Sequence, residues 1–142
     1  MPTREGVKAL KTFNPFRVVE AEIMADSKGI STDQNSRCIY VSNINNGDWM
    51  KLANVDFSQQ QAKVVEMQLA SSTHGGNVEL RLDSIAGEKI AEVAIGNTGG
   101  RENFQKATSA ITKTVNGVHD LFFVFRGQKG RELFTIDKWE IK

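Results

Sequence analysis

From Arg17 to the C-terminus the chain reads as short alternating segments, apolar then polar, with no apolar stripe at helical spacing. The predicted strands are Val18–Ile23, Cys38–Val41, Trp49–Phe57, Val64–Ala70, Val78–Leu82, Lys89–Ile95, Gln105–Thr112, Leu121–Phe125 and Phe134–Ile141. Val78-Glu79-Leu80-Arg81-Leu82 alternates strictly, as a strand with one buried face does. Leu121-Phe122-Phe123-Val124-Phe125 is apolar on both faces and is expected in the centre of the core. Asn45-Asn46-Gly47-Asp48, Asp83-Ser84-Ile85-Ala86-Gly87 and Gly96-Asn97-Thr98-Gly99-Gly100 separate the strands with residues that tolerate positive φ. About nine or ten strands at this spacing predict an all-β fold, a two-sheet antiparallel β-sandwich of the jelly-roll kind. Residues 1–16 have no clear period and read as a linker or docking segment; residues 17–142 form the predicted module.

Composition adds exclusions. The 142 residues suffice for one domain with its own core, and 39% hydrophobic and 25% charged residues are ordinary for a globular protein. The net charge of +1 is spread along the chain, which argues against a nucleic-acid or anionic-membrane partner. No apolar run approaches the ~20 residues of a membrane span. Met1-Pro2-Thr3-Arg4-Glu5 opens no apolar segment, so a secreted parent is expected to carry its signal outside this sequence.

Catalytic patterns are scarce. Cys38 is the sole cysteine, which excludes an internal disulfide and a CxxC motif and reads as a small apolar residue in a strand. His74 sits in a turn and His119 precedes a core strand, with no HExxH or HxH spacing. Neither a GxSxG elbow nor a Walker loop occurs, and no helix follows Gly96–Gly100 to form a phosphate site. A pair of glycosidase carboxylates among 17 acids is not excluded by counting.

Several local patterns then form an ordered set. They are Val19-Glu20-Ala21-Glu22, Ile44-Asn45-Asn46-Gly47-Asp48-Trp49, Val55-Asp56-Phe57, and Ala70-Ser71 ahead of Gly75-Gly76. Glu79-Leu80-Arg81-Leu82-Asp83-Ser84 and Asn97-Thr98-Gly99-Gly100 follow. Gly117-Val118-His119-Asp120-Leu121, Val124-Phe125-Arg126-Gly127 and Leu133-Phe134-Thr135-Ile136-Asp137 complete it. From about Val18 to the end, this set resembles the family 6 carbohydrate-binding modules, which are β-sandwich jelly rolls. The prefix from Glu5-Gly6-Val7-Lys8 to Asn14-Pro15-Phe16 resembles the stretch joining such modules to family 43 glycoside hydrolases acting on arabinoxylan.

By their spacing Glu20 and Glu22 share one face of a strand, where two carboxylates repel unless a cation or protons intervene; a solvated acidic edge is the alternative. The resemblance implies a structural Ca²⁺ held by Glu20, Glu22, Asp137 and a backbone carbonyl near Arg37, a hard oxygen set suited to that ion. It also implies a glycan site in the loops at one edge, built on an aromatic before the Gly-Asp turn, a Trp after the Gly-Gly pair and an Asn in the last strand. Asn43, Arg101 and Thr135 stand at those positions, so the chain departs from the aromatic clamp. Tyr40 and Phe104 are candidate aromatic faces nearby, and the fork of Arg101 suits an acidic sugar. A second family site lies on the concave face of one sheet, where Trp49 matches an aromatic position; core packing is the alternative for Trp49. The loop site is the favoured one. Core positions are expected for Trp139, Phe122, Phe123 and Phe125.

The expected function is non-catalytic binding of a polysaccharide or oligosaccharide, xylan or arabinoxylan first, on behalf of a covalently linked glycoside hydrolase outside the cell. The alternative is a structural module packed on a catalytic domain, with sugar binding weakened or lost; a third possibility is an enzyme in its own right.

Overall fold

The computed structural model describes residues 12–59 and 61–142. They form β1 (Val19–Glu20), β2 (Asp26–Lys28), β3 (Ser31–Gln34), β4 (Ile39–Ser42), β5 (Trp49–Asp56), β6 (Val64–Ser71), β7 (Gly76–Leu82), β8 (Lys89–Ile95), β9 (Gly100–Ala110), β10 (Val118–Gly127) and β11 (Thr135–Ile141). Five strands make one sheet in the order β2-β5-β10-β7-β8. The other sheet runs β3-β4-β11-β6-β9, with β1 also paired to β11. The strand pairs are antiparallel, and no helix occurs among the described residues. The predicted antiparallel sandwich is the fold found.

The alternating residues of the two sheets meet in one core. Leu121, Phe123 and Phe125 of β10 face inward, and each pairs across β7 with another inward residue, Leu82, Leu80 and Val78. The opposing sheet supplies Ile136, Trp139 and Ile141 from β11. The Phe123 and Trp139 rings lie 5.2 Å apart in a tilted pair, and Phe125 meets Phe134 edge-on at 5.8 Å. Burying such rings is the main stabilisation of the fold. Trp139→Ala is expected to cost about 3–5 kcal/mol in chemical unfolding; an unchanged midpoint would contradict this packing.

Phe122 departs from its expected place. With Phe123 turned inward, the pleat points Phe122 to the outer face, level with Lys51 and Arg81. It is nevertheless only 8% exposed, because Trp49 and Lys51 cover it.

Other differences lie at edges. β2 and β3 were not predicted, since Asp-Ser-Lys and Ser-Thr-Asp-Gln carry no apolar alternation; both are polar edge strands. The predicted strand Val18–Ile23 shrinks to Val19–Glu20, because the chain turns at once, with Ile23 N–H donating to the Glu20 carbonyl at 3.0 Å. Residues 12–16 belong to the sandwich. Phe13 forms a parallel bridge with Val55, exchanging bonds of 2.8 Å with Asn54 and Asp56, and the Pro15 carbonyl accepts from Ile141 at 3.2 Å. Residues 1–11 of the predicted linker lie outside the described residues.

Candidate functional site

The loop edge is built by buried hydroxyls. Ser71 Oγ donates to the Leu133 carbonyl at 2.7 Å, and Thr73 Oγ1 donates to the Glu132 carbonyl at 2.8 Å. Thr135 Oγ1 donates to the Arg101 carbonyl at 2.6 Å. These bonds fasten the loop before β11 to the ends of β6 and β9. Glu132 is thereby aimed at Arg101, which reaches its carboxylate with Nε at 3.0 Å and Nη2 at 3.1 Å, a two-pronged pair. Asn43, at φ 55°, donates its backbone N–H to the same carboxylate at 2.7 Å, and its side chain donates to the Gly29 carbonyl at 3.1 Å. Gly29 is required there: its φ is +85°, and a Cβ would collide with the Asp48 carboxylate.

Arg101 and Asn43 therefore come together, joined by Glu132, a residue that the sequence reading missed. Thr135 does not serve as predicted: it is fully buried and its hydroxyl is spent on backbone carbonyls. Tyr40 is 1% exposed, capped by the Arg101 guanidinium at 5.9 Å and by the edge of Phe104 at 5.5 Å. Its ring is not a free platform. Where the aromatic clamp was expected, the chain has a charged lock.

The lock sets pKa values. Glu132 is burdened by burial, but the bond from Arg101, the Asn43 amide and the Arg101 charge outweigh this and hold its carboxyl below the usual range. Bonding to Glu132 pushes Arg101 up against its own desolvation. Burial and then the bond to Glu102 push Tyr40 up to about 12, so its hydroxyl stays a donor. A carboxyl with a lowered folded pKa stabilises the fold fully above its ordinary value, and this contribution is lost as pH falls through the folded value. Glu132→Gln is accordingly expected to flatten the decline in melting temperature from pH 4.5 downward, with thermal melts at stepped pH as the check. An unchanged acid limb would show that the pair adds nothing.

A different surface lies on the outer face of the five-stranded sheet. Trp49 sits half-buried on β5, its ring 5.8 Å from that of Phe122 at a tilt of 53°. Lys51 holds its ammonium 5.6 Å above Phe122 and 3.5 Å from Asp120. Beyond β10, on β7, Glu79 accepts from Arg81 at 3.0 Å and stands 3.6 Å from Arg126 of β10. The arrangement is an aromatic floor flanked by hydrogen-bonding side chains held in place by pairing. Trp49 is thus a surface aromatic and not a core residue.

The third cluster is acidic. β4 and β1 pair with successive parts of β11: Val41 opposite Ile136, then Glu20 and Val19 opposite Lys138 and Trp139. Asp137 lies at the changeover, in an irregularity of the β6–β11 register, and its carbonyl accepts from Ala21 N–H at 3.0 Å. Bulges of this kind re-aim a side chain. Glu20 and Glu22 line one cavity with Arg37 and Cys38, brought there by the turn after β1 and not by the pleat of a strand. Glu22 Oε1 and Asp137 Oδ1 are both buried without a hydrogen-bond partner. Burial, and then the charges of Glu20 and Asp137, raise the Glu22 carboxyl against a backbone bond that lowers it. Two orphaned carboxylate oxygens are costly unless something binds them. Among the described residues no three His, Cys, Asp or Glu side chains converge as a closed cage. Glu20, Glu22 and Asp137 therefore do not close on one point, although all three present hard oxygens of the kind calcium takes.

The remaining reactive groups are engaged elsewhere. His74 Nδ1 lies 3.3 Å from Gln128, and His119 spans Asp83 at 3.0 Å and the Asn116 carbonyl at 2.9 Å. Burial, and then the charge and bonding of Asp137, raise the Cys38 thiol, which opposes a thiolate nucleophile.

Fold and surfaces define a β-sandwich binding module with an aromatic-floored outer face. The family model for the carbohydrate binding module, family 6, matches residues 20–142, and the chain belongs to that family. An arabinoxylan arabinofuranohydrolase of Bacillus subtilis (strain 168) is 34% identical over 141 residues, 95% of this chain and 27% of that protein. The chain spans about a quarter of the length of the curated relatives it matches. A β-1,3-glucan-binding module of the family from Bacillus halodurans is 29% identical with a TM-score of 0.87, over 93% of this chain and 99% of its own. A family 6 module from Clostridium cellulolyticum, solved with xylose, is 31% identical with a TM-score of 0.86, over 92% of this chain and 99% of its own.

Proposed function

We propose that this chain is a non-catalytic module that holds a covalently linked glycoside hydrolase on a plant cell-wall polysaccharide outside the cell, with xylan or arabinoxylan as the glycan. The arabinoxylan-active relatives and the xylose-bound neighbour support that choice of sugar. One observation carries the binding mode: the half-buried Trp49, tilted against Phe122 and opposite Val124, with charged side chains around them on the outer sheet face. Sugars present flat C–H faces that stack on aromatic rings, and their hydroxyls pair with planar polar groups. Glu79, Arg81 and Arg126 supply such groups beside the floor, and Lys51 adds an ammonium donor. The loop edge, favoured by the sequence, is the weaker candidate, because Glu132 occupies the Arg101 fork. That same closure favours the alternative of a structural module if the sheet face fails.

Tryptophan emission tests the reading. Trp139 is 2% exposed and out of reach of a sugar, so direct stacking reports on Trp49, the other tryptophan. Xylohexaose is expected to shift emission to the blue in a saturable manner; a spectrum unmoved at millimolar sugar would refute the Trp49 site.

We further propose a structural Ca²⁺ bound by Glu20, Glu22, Asp137 and the Arg37 carbonyl. The orphaned oxygens of Glu22 and Asp137 support it. The ion's contribution is to neutralise these carboxylates and tie the chain after β1 to β11.

A further inference from the structure

β9 bows outward beside the closed loop edge. Ser71 of β6 pairs with Gly100 and Leu69 with Gln105, so residues 101–104 stand opposite Ala70 alone. A bow this large cannot lie flat in the ladder. It is held instead by side chains: Glu102 accepts from the Tyr40 hydroxyl at 2.5 Å, Asn103 donates to the Thr98 carbonyl, and Phe104 packs on the edge of Tyr40. Across from it stands the β3–β4 turn, with Asn35, Arg37 and Cys38. Between bow and turn lies a cleft of about 440 Å³, lined below by Asp137 and Lys138 of β11.

We propose that this cleft is a second glycan subsite, taking one neutral sugar ring of a polysaccharide chain. The proposal rests on the glycan-binding reading above but uses none of the Trp49 surface. The volume lies in the range of small-ligand sites. Phe104 keeps part of its ring exposed in the wall, which offers a C–H face a stacking partner. Asn35, Asn103 and Glu102 each keep donor or acceptor capacity beyond the bonds that hold the bow and the turn, and the fork of Arg37 adds donors that match vicinal hydroxyls. Glu102 is drawn below the usual carboxylate range by the bonds from Tyr40 and Asn35, and so stays an acceptor at neutral pH. Glu20, Asp137 and the Arg37 carbonyl on its floor are the proposed calcium ligands, so with the ion bound the wall left to a sugar, Asn35, Glu102, Asn103, Phe104 and the side chains of Arg37 and Lys138, carries both signs of charge and favours a neutral ring. The cleft is lined by the six-stranded sheet and Trp49 lies on the five-stranded one, so the two sites belong to different sheets. One module then engages two polymer chains, which favours insoluble polymer over short oligosaccharides by multivalency.

The test is an NMR titration of the ¹⁵N-labelled chain, saturated with calcium, with xylohexaose and laminarihexaose. Two groups of amides are expected to move, residues 35–38 with 102–104, and residues 49–51 with 121–124. Phe104→Ala should erase the first response and keep the second, while Trp49→Ala should do the reverse. If Phe104→Ala disturbs the fold, Arg37→Ala serves in its place. Movement of the Trp49 group alone overturns the cleft and leaves the glycan-binding reading standing; movement of neither overturns both. Cleft amides that respond to calcium alone, and no further to sugar, also overturn it.

Discussion

Trp49→Ala is expected to abolish measurable binding of xylo-oligosaccharides while the sandwich remains folded. The Trp49 ring lies outside the inter-sheet core cluster, so its removal opens no central cavity. What is lost is the larger half of the aromatic floor, leaving Phe122 without its tilted partner. A shallow, wet sugar site has little affinity to spare, since ordering a flexible glycan offsets most of the contact energy. A submillimolar complex corresponds to about 5 kcal/mol, and losing ~2 kcal/mol of stacking and burial weakens it roughly thirtyfold. Calorimetry then finds no heat at practical concentrations. Unchanged circular dichroism and a cooperative melt, at a melting temperature lowered by the uncovering of Phe122, establish that the variant is folded. Arg101→Ala is expected to leave affinity nearly unchanged, because its fork already serves Glu132. The reverse pattern, with Arg101→Ala losing sugar and Trp49→Ala keeping it, would move the site to the loop edge.

Calcium chelation is expected to lower the melting temperature. An ion that binds only the folded state at a hundred times its dissociation constant stabilises it by about 2.7 kcal/mol. For a domain of this size that corresponds to roughly 5–11 °C. Its removal leaves Glu22 Oε1 and Asp137 Oδ1 buried and unpartnered beside a third carboxylate, Glu20. Glu20→Gln should remove the sensitivity to EDTA. Glu22→Gln should do so too, and in EDTA it should melt no lower than the parent, because it removes a buried, repelled charge. Identical calorimetric melts with EDTA and with calcium would eliminate the metal site.

The strands that alternate between a buried and a solvated face were legible in the sequence. β8 was predicted residue for residue as Lys89–Ile95, and β5 to β7 within two residues, because burial on one face fixes a period of two. β2 and β3 were not, since an edge strand with no buried face needs no apolar residue. The bulge at Asp137 left one faint sign: Ile136 and Trp139 both point inward though three positions apart, which a regular strand forbids. Glu132 left none, lying in an unpatterned loop with no period to place it opposite Arg101. The family's residue positions identified Asn43, Arg101 and Thr135 correctly as neighbours. They did not reveal that Glu132 fills the space between them, because a lock of paired charges depends on the loop path and not on strand period. For Phe122 the five-residue apolar run concealed which face each ring takes; pairing with Arg81 and Lys51 resolves it.

Glycan binding is tested most directly by electrophoresis of the calcium-loaded chain through native gels containing xylan, arabinoxylan, β-glucan or no polymer. The proposed function predicts retardation relative to a non-binding standard in xylan or arabinoxylan, increasing with polymer concentration and absent for Trp49→Ala. Migration level with the standard in every gel, by a chain whose circular dichroism shows the folded sandwich, would contradict it and leave the structural-module reading in its place.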